Sequence, residues 1–303
     1  MRVAITGASG FIGRALAQSL REDGHLPLAL SHDIERAARA LPGVETLDIN
    51  DAITAWPDVD AVVNLMGEPV NGRWTSEKKR AIYDSRVIGT RKLAEAIGRA
   101  DRRPNCFVNA SAVGYYGDRG EEFLTESSLP GQAFLSHVCA HWEGEARRVG
   151  DLGVRWAVVR TGVVLGDGGA LDVLKRLFMV GLGGPLGSGR QWFPWITRAD
   201  IVRLYRFVLE SDHQGVFLAA TPEPVRQKEF ASVLGKALGR PAVLPAPGFA
   251  VRLAAGEFAS EVLDSRRCVP RETIAAGFEF EHPHLPAALR SALGEGQSAQ
   301  NRR

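Results

Sequence analysis

The chain has 303 residues, of which 45% are apolar and 24% charged, and its formal net charge is +2. This balance excludes a fibrous repeat or a chain without a packed core, and it gives no argument for a nucleic-acid partner. No apolar run reaches the roughly 18 residues of a membrane span. The three cysteines lack metal-ligand spacing, so no metal is expected. A glycine motif follows almost directly after the first residue, which leaves no room for a targeting segment. Together with the few, widely spaced cysteines, this predicts a reducing, cytoplasmic location.

Short apolar runs alternate with longer amphipathic ones through the first half of the chain, as in βαβ units around a parallel sheet. The predicted strands are 3–6, 27–31, 44–48, 61–65, 106–110 and 156–160. The predicted helices are 12–23, 36–40, 76–99 and 138–151. This order predicts an α/β fold with a Rossmann-type doubly wound parallel sheet.

The composition shifts after the sixth strand. A glycine-rich stretch, 181–190, cannot be continuous regular structure. Beyond it we predict a helix at 201–209 capped by Asp200, a seventh strand at 215–220 and a helix at 228–238. The domain expectations are a nucleotide-binding domain of residues 1–165 with 196–220 returning to it, a smaller substrate lobe of 166–195 and 221–293, and a disordered tail of 294–303.

The most informative motif spaces three glycines as Gly-x-x-Gly-x-x-Gly between the first strand and the first helix. One glycine permits the tight turn, one lets the backbone approach a pyrophosphate, and one lets the helix pack closely on the strand. The free N–H groups and the positive dipole end of that helix then bind the phosphates. The residues expected to hold the dinucleotide here are Gly7, Ser9, Gly10, Phe11, Ile12 and Gly13.

The residues after the second strand bear on the choice of dinucleotide, because that strand end meets the 2′ position of the adenosine ribose. His32 comes first, Asp33 follows, and Arg36 lies one helical turn later. The two basic side chains favour NADP(H), with NAD(H) as the alternative. Asp48, after the third strand, is a candidate for the adenine amino group or for a turn cap.

Several further segments accompany the glycine motif in a fixed order. They are Val63-Asn64-Leu65-Met66-Gly67-Glu68, Arg73-Trp74, 84–91 (DSRVIGTR), Ser111-Ala112-Val113-Gly114-Tyr115-Tyr116-Gly117, 159–166 (VRTGVVLG), 183–189 (GGPLGSG) and Trp195-Ile196. With them the chain resembles the extended short-chain dehydrogenases/reductases, in the atypical "epimerase family" branch of NAD-dependent epimerase/dehydratase-like proteins with its own C-terminal domain. The resemblance covers nearly the whole chain.

The resemblance implies a catalytic serine and a Tyr-x-x-x-Lys pair on a helix, but our alignment places His137 and His141 at the tyrosine and lysine positions. The usual pair is then absent, and Ser111, Tyr116 and His141 are the candidates for its replacement. Tyr116 is alternatively part of the substrate wall. His141 can donate to the cofactor ribose or be a structural histidine.

The resemblance also places Asn64, Leu65, Gly67 and Glu68, at the end of the fourth strand, beside the nicotinamide ribose, and gives Arg86 a role in steadying the cofactor. The loop 183–195 is expected to form a wall of the substrate cleft or merely to join the lobes. These features predict an NADP(H)-dependent oxidoreductase or epimerase for a nucleotide-sugar or small carbonyl substrate; the alternative is a non-catalytic NADP(H)-binding regulator. We expect a monomer or homodimer without nucleic-acid or membrane partners.

Overall fold

The computed structural model describes residues 1–294 of the chain. Its strands, in chain order, are β1 (Arg2–Thr6), β2 (Leu26–Ser31), β3 (Glu45–Asp48), β4 (Ala61–Asn64), β5 (Cys106–Ala112), β6 (Phe123–Leu124), β7 (Arg155–Thr161), β8 (Val163–Leu165), β9 (Trp192–Phe193), β10 (Trp195–Thr197), β11 (Gly215–Ala219), β12 (Val225–Arg226) and β13 (Arg267–Cys268).

Helices connect most of these strands. The α-helices are α1 (Phe11–Glu22), α2 (Ile34–Ala40), α3 (Ile49–Thr54), α4 (Ser76–Tyr83), α5 (Gly89–Arg99), α6 (Phe134–Arg147), α7 (Ala170–Met179), α8 (Arg198–Glu210), α9 (Gln227–Ala237), α10 (Gly248–Ala255), α11 (Ser260–Leu263), α12 (Arg271–Ala275) and α13 (Leu285–Ala292). Short 3₁₀ turns span Val113–Tyr116, Arg148–Leu152 and Gly256–Ala259.

Seven strands form the central sheet in the order β11-β7-β5-β4-β1-β2-β3. Every neighbouring pair is parallel. The chain runs outward from β1 to β2 and β3 and then returns to place β4 on the other side of β1, so the strand order reverses between β1 and β4. Ligands of doubly wound sheets bind at such a reversal. The predicted Rossmann-type α/β fold is confirmed.

Two apolar layers cover the sheet. On one face, Leu16 and Leu20 of α1 pack with Leu204 and Val208 of α8. The opposite face is covered by α3, α5 and the turn after α6, with Leu93 at its centre. Because both faces are buried, the strands consist of nearly continuous apolar residues, as parallel strands usually do.

A separate apolar core lies in the second half of the chain. It joins Phe178 of α7 and Trp195 of β10 to Phe230 of α9 and Leu289 of α13. Two short sheets, β10 with β8 and β12 with β9, border this core. The chain therefore leaves the central sheet at β7, builds part of a second lobe, returns through α8 and β11, and completes that lobe afterwards.

Two details differ from the sequence predictions. The helix predicted at 76–99 is divided by a π-helical turn, Asp84–Ile88. Asp200 does not cap α8, because the cap is Thr197, whose side chain accepts from the Asp200 N–H at 3.0 Å. Asp200 instead lies inside the helix and accepts from the N–H groups of Glu281 and His282. The tail predicted at 294–303 falls, beyond Gly294, outside the described residues.

Candidate functional site

The glycine loop after β1 tolerates no larger side chain. Gly7 has φ +65°, and a Cβ there would lie 2.6 Å from the backbone oxygen of Leu65. A Cβ on Gly13 would lie 2.4 Å from the Gly7 oxygen and 2.7 Å from the Cα of Ala8. These neighbours are backbone atoms of the loop and of the adjacent strand end, which cannot swing aside. The spacing therefore brings the loop, β4 and α1 into contact.

The first turn of α1 offers unpaired donors. Gly10 is the N-cap residue, it provides no side-chain cap, and the first turn contains no acidic residue. The Gly10 N–H itself closes the loop on the Gly7 oxygen at 2.9 Å. The N–H groups of Phe11 and Ile12, which follow, are those that an α-helix leaves without an intrahelical acceptor. Such an end binds anionic oxygens, above all phosphate.

A cavity of about 330 Å³ opens beside this loop at the carboxyl edge of the sheet. It is lined by Gly7, Gly10, Phe11, Ile12, Gly13, Leu65, Met66, Gly67, Val70, Arg86, Ala110, Ser111, Ala112, Leu135, Val138, Cys139, Trp142, Thr161, Tyr205 and Glu261. Most of the wall is apolar, and the polar side chains that reach it are few. This composition is typical of small-molecule sites.

Helix α6 presents an apolar face to the cavity. The residues of α6 that line it are Leu135, Val138, Cys139 and Trp142. His137 and His141 are exposed instead, and His141 Nδ1 lies 3.2 Å from the hydroxyl of Tyr83. His137 and His141 each follow a cavity-lining residue, Leu135 and Cys139, by two positions, which turns their side chains about 200° away from the cavity. His141 does not line the cavity, where a catalytic or ribose-binding role would place it.

Ser111 lines the cavity, but its proton is committed elsewhere. Its hydroxyl donates to Glu143 Oε1 at 2.7 Å. Glu143 is in turn held by Arg160 through Nε and Nη2, both at 2.8 Å. Both members of this ion pair are about 1% exposed. Ser111 can therefore accept a hydrogen bond from a ligand, whereas its own proton points to the carboxylate.

Tyr116 does not reach the cavity, which corrects the acid/base role predicted for it. Its side chain is fully buried, and its hydroxyl donates to the Thr125 oxygen at 2.9 Å while accepting from Arg160 Nη1 at 3.1 Å. Burial raises the pKa of Tyr116 far above its ordinary value, although Arg160 opposes that shift. A tyrosine in this position supports the fold around β5, and its hydroxyl cannot donate a proton to a ligand in the cavity.

Two of the residues predicted after β4 also serve the fold rather than the cavity. Asn64 is fully buried and binds Thr6, Thr90 and Asn109 with its amide group. Because these bonds use its Oδ1 and both of its N–H directions, Asn64 has no donor left for a ribose.

Glu68 also lies outside the cavity wall. Its carboxylate binds Lys78 Nζ at 2.6 Å. Leu65 and Gly67, in contrast, line the cavity, and so does Met66, which the sequence analysis did not select.

Arg86 projects from the π-helical turn into the cavity wall beneath Gly67. A Cβ on Gly67 would lie 2.8 Å from the guanidinium, so only glycine lets the arginine pack there. The guanidinium carbon lies 5.3 Å from the ring centroid of Trp142, and Nη1 donates to the Glu68 oxygen at 2.9 Å. Burial lowers the pKa of Arg86. Arg86 lies in the π-helical turn Asp84–Ile88, and such turns are frequent at functional sites.

The residues after β2 lie outside the cavity, at the end of the sheet where the adenosine half of a dinucleotide would extend. His32 and Arg36 are exposed, and within residues 1–294 their side chains form no hydrogen bond or ion pair. Asp33 caps α2 by accepting from the Arg36 N–H at 2.9 Å. Asp48 likewise caps α3, accepting from the Asn50 N–H. Asp48 therefore forms the cap that was one of its two predicted roles.

Ser9 is half-buried in the glycine loop.

Three polar residues of the wall were missed from the sequence. Thr161 ends β7, and Tyr205 lies on α8 with a buried hydroxyl that forms no well-directed hydrogen bond within the described chain, although it lies near Thr161. Burial raises the pKa of Tyr205 well above its ordinary value. Glu261 reaches the cavity from α11 in the second lobe. Thr161 belongs to the 159–166 segment, but nothing in that segment marks its side chain as part of a site, and Tyr205 and Glu261 belong to no local motif.

The glycine-rich loop 183–195 does not supply the predicted cleft wall. Trp195 is fully buried in the second lobe. Trp192 instead stacks against Arg226, 3.8 Å from its ring centroid, and donates through Nε1 to Glu121 at 3.0 Å. Arg190 is exposed and lies outside the cavity. The alternative role, a packed connection between the lobes, is what the structure shows.

Arg266 ties the second lobe to the sheet close to the cavity. It donates to the Gly117 oxygen at 3.2 Å and pairs with Glu261 at 3.0 Å and Asp264 at 3.1 Å. Burial raises the pKa of Asp264 to about 6, against the opposing influence of Arg266, and nearby Asp118 adds to the rise. Arg266 thus pairs with the carboxylates of Glu261 and Asp264, and the carboxylate of Asp118 lies near that of Asp264.

Replacing Asp264 with asparagine should stabilise the protein at pH 8 more than at pH 5. A carboxyl with a raised pKa favours the fold when protonated, so its contribution is present below its ordinary pKa and is lost as the pH rises through about 6. Thermal unfolding of both proteins at the two pH values measures this. Asp101→Asn, at an exposed carboxylate, is the control. A melting-temperature difference that is the same at both pH values would contradict the prediction.

Comparison with known proteins identifies the family. Residues 3–220 match the sequence profile of the NAD dependent epimerase/dehydratase family, and residues 246–292 match a domain of unknown function, DUF1731. The chain belongs to the NAD-dependent epimerase/dehydratase family. The predicted resemblance, including its C-terminal domain, is therefore confirmed.

Similar proteins cover almost the whole chain. The chloroplastic epimerase family protein SDR39U1 homolog of Arabidopsis thaliana is 40% identical over 302 residues, covering 97% of this chain and 87% of that protein. The epimerase family protein ML0860 of Mycobacterium leprae is 40% identical, covering 96% and 95%. Human SDR39U1, solved with NADPH, superposes with a TM-score of 0.90 at 36% identity, covering 96% of this chain and 99% of that one.

Two features are absent from residues 1–294. No helix in this range is long and apolar enough to cross a bilayer. No group of three His, Cys, Asp or Glu side chains in the same range has the arrangement of a metal site.

Proposed function

We propose that this protein binds NADP(H) and uses it in an oxidoreductase reaction on a small carbonyl or hydroxyl compound. The observation that carries the proposal is the glycine loop, which leads directly into a cavity with few polar side chains. The structure of human SDR39U1 with NADPH supports NADP(H) as the cofactor. NAD(H) is the alternative that the binding experiment below tests.

The residues present fit such a cofactor. The donors of Phe11 and Ile12, with Gly7 and Gly13 leaving room beside them, would hold the pyrophosphate. His32 and Arg36 extend from α2 and the β2 end for the 2′-phosphate; Leu65, Gly67 and Ser111 would face the nicotinamide ribose. When bound, the cofactor supplies or accepts a hydride. The buried hydroxyl of Tyr205 is a polar atom that a ligand would satisfy.

The size of the cavity favours a small substrate over a nucleotide-linked one. Its 330 Å³ lies at the lower end of the roughly 300–1,000 Å³ of ligand pockets, and the nicotinamide would take part of that volume. Because α6 presents neither tyrosine nor lysine to the cavity, an acid or base must come from elsewhere in the wall. The side chains of the wall with oxygen atoms that can accept a proton or a hydrogen bond there are Ser111, Thr161, Tyr205 and Glu261.

A non-catalytic regulator that senses NADP(H) is the second candidate. The apolar face of α6 supports it, since Leu135 and Cys139 occupy the i, i+4 positions of that face. Burial raises the pKa of the Cys139 thiol to about 12, so this cysteine does not replace the missing proton donor. The two candidates differ in turnover and agree in cofactor binding.

Removing both basic groups after β2, as His32→Ala with Arg36→Ala, should weaken NADPH and leave NADH nearly unchanged. A charge-assisted hydrogen bond to a phosphate is worth about 1.5–3 kcal/mol, or roughly tenfold or more in the dissociation constant. Fluorescence titration with both nucleotides measures the effect. Arg39→Ala is the matched control, because Arg39 is exposed on the same helix and, among residues 1–294, forms its ion pair with Glu35 alone. Equal loss for both nucleotides would contradict the 2′-phosphate role.

A screen of small aldehydes, ketones and oxo acids for NADPH oxidation separates enzyme from regulator. Turnover that disappears in a variant unable to bind NADPH supports the oxidoreductase. Tight NADPH binding without turnover of any carbonyl or any nucleotide-sugar supports the regulator. We further infer a small-molecule ligand and a cytoplasmic location, which the three unpaired, buried cysteines support.

A further inference from the structure

Arg86 gives the cavity a positive charge that no carboxylate within residues 1–294 pairs with. Its Nη1 donates to the backbone oxygens of Glu68 at 2.9 Å and Ile82 at 3.4 Å. The neighbouring acid, Glu68, is already bound by Lys78 at 2.6 Å. A partly buried guanidinium without a counter-ion carries a desolvation cost that an anionic ligand offsets. The planar guanidinium can donate two parallel hydrogen bonds to a carboxylate in particular.

Glu261 brings the opposite charge from the second lobe. Its Oε1 pairs with Arg266 at 3.0 Å, which offsets the charge of the carboxylate. Its Oε2 forms no hydrogen bond within the described chain and lies 3.3 Å from the point that a Cβ on Gly114 would occupy. This free oxygen is an acceptor for a hydroxyl donor.

Both charged groups line the same cavity. Both act on the thiol of Cys139, since Arg86 lowers its pKa and Glu261 raises it, while burial dominates. Around Cys139 the wall is apolar, with Leu135, Val138 and Trp142 on α6. A ligand that satisfies all three features needs an anion, a hydroxyl group and a short apolar body.

We propose that this part of the cavity binds a small hydroxy acid, whose carboxylate pairs with Arg86 and whose hydroxyl donates to Glu261. The proposal rests on the proposed function in that the acid would lie beside the nicotinamide. It names the substrate class, and it assigns the second lobe a direct contact with substrate through Glu261.

Calorimetric titration with three matched probes tests this site. The probes are 2-hydroxy-4-methylpentanoate, its neutral amide, and 4-methylpentanoate, which lacks the hydroxyl. Each is titrated into the full chain with and without saturating NADP⁺. We expect the hydroxy acid to bind at least roughly tenfold more tightly than either analogue. The amide lacks the ion pair with Arg86, and 4-methylpentanoate lacks the hydrogen bond to Glu261.

Variants then assign the two preferences. Arg86→Met should abolish the preference for acid over amide, and Glu261→Gln should reduce the preference for the hydroxylated acid. Arg80→Met and Glu77→Gln, at exposed positions of α4, are the matched controls and should change neither preference. The preference ratio separates binding from folding, since a variant that is merely destabilised weakens all three probes together.

Equal affinity of the acid and its amide, an unchanged ratio in Arg86→Met, or the failure of all three probes to bind would overturn the proposal. Failure of the proposed function would give a different result. NADPH itself would not bind, or no carbonyl would be reduced, while the hydroxy acid would still bind more tightly than its amide in the protein that retains Arg86.

Discussion

Replacing Glu143 with leucine is expected to lower the free energy of unfolding by about 3–5 kcal/mol, because the change leaves Arg160 buried without its counter-ion. Arg160 donates twice to Glu143, and its remaining Nη1 binds the Tyr116 hydroxyl and the Glu126 oxygen. Neither acceptor is charged, so the guanidinium keeps hydrogen bonds and loses its ion pair. Ser111 also loses the acceptor of its proton.

Urea unfolding of Glu143→Leu, Arg160→Met and the double variant measures this. The double variant should be less destabilised than the sum of the single ones, because removing both charges removes the uncompensated one. The exposed Glu35–Arg39 pair is the control, and Glu35→Gln should change stability by less than about 0.5 kcal/mol. If the double variant loses the full sum, the buried pair does not act as a unit.

Adding one methyl group at Gly13 is expected to weaken NADPH binding roughly 100-fold, which corresponds to the loss of one or two charge-assisted hydrogen bonds. The new Cβ would lie 2.4 Å from the Gly7 oxygen and 2.7 Å from the Ala8 Cα. Either the loop or the start of α1 must move, and the N–H groups of Phe11 and Ile12 then lose their alignment with the phosphates.

The matched control for Gly13→Ala is Gly144→Ala. Gly144 lies within α6, and a Cβ there would meet no atom within 4 Å. We expect this control to bind NADPH as the unchanged protein does and to be slightly more stable, since alanine favours a helix by about 1 kcal/mol over glycine. Fluorescence titration and thermal unfolding give both quantities. NADPH binding by Gly13→Ala within about threefold of the unchanged protein would contradict the role assigned to the loop.

The second lobe contributes a charged group to the wall of the cavity. Helix α6 closes the cavity with Leu135, Val138 and Trp142, which exclude water from one side. Charge enters instead from Arg86, on the turn between α4 and α5, and from Glu261 in the second lobe. The chemistry of the site is thereby divided between two distant parts of the chain.

Local patterns in the sequence predicted much of the fold. The alternation of apolar strands with amphipathic helices gave the strands of the doubly wound sheet to within a few residues, and the glycine spacing located the loop between β1 and α1. These predictions succeeded because strand period, helix period and turn chemistry are properties of neighbouring residues. The expectation for Leu65 and Gly67 came instead from the family resemblance.

The functional surface of α6 could not be predicted in this way. A helix of 14 residues presents several stripes, and residues two positions apart lie on nearly opposite sides of it. His137 and His141 were therefore taken for site residues, whereas Leu135 and Cys139 face the cavity. Tyr116 was misplaced for a related reason, since a tyrosine next to a strand end points either into the cavity or under the sheet, and packing against Arg160 decides which.

The sequence by itself thus determined the fold class, the family resemblance and the glycine loop, because each depends on residues close together in the chain. Only the tertiary structure decided which side chains surround the cavity. Thr161, Tyr205 and Glu261 come from a strand end, a helix and the second lobe, and long-range packing brings them together. The loop of Gly7 to Gly13 is a local device, whereas the substrate side of the cavity exists only once both lobes are folded.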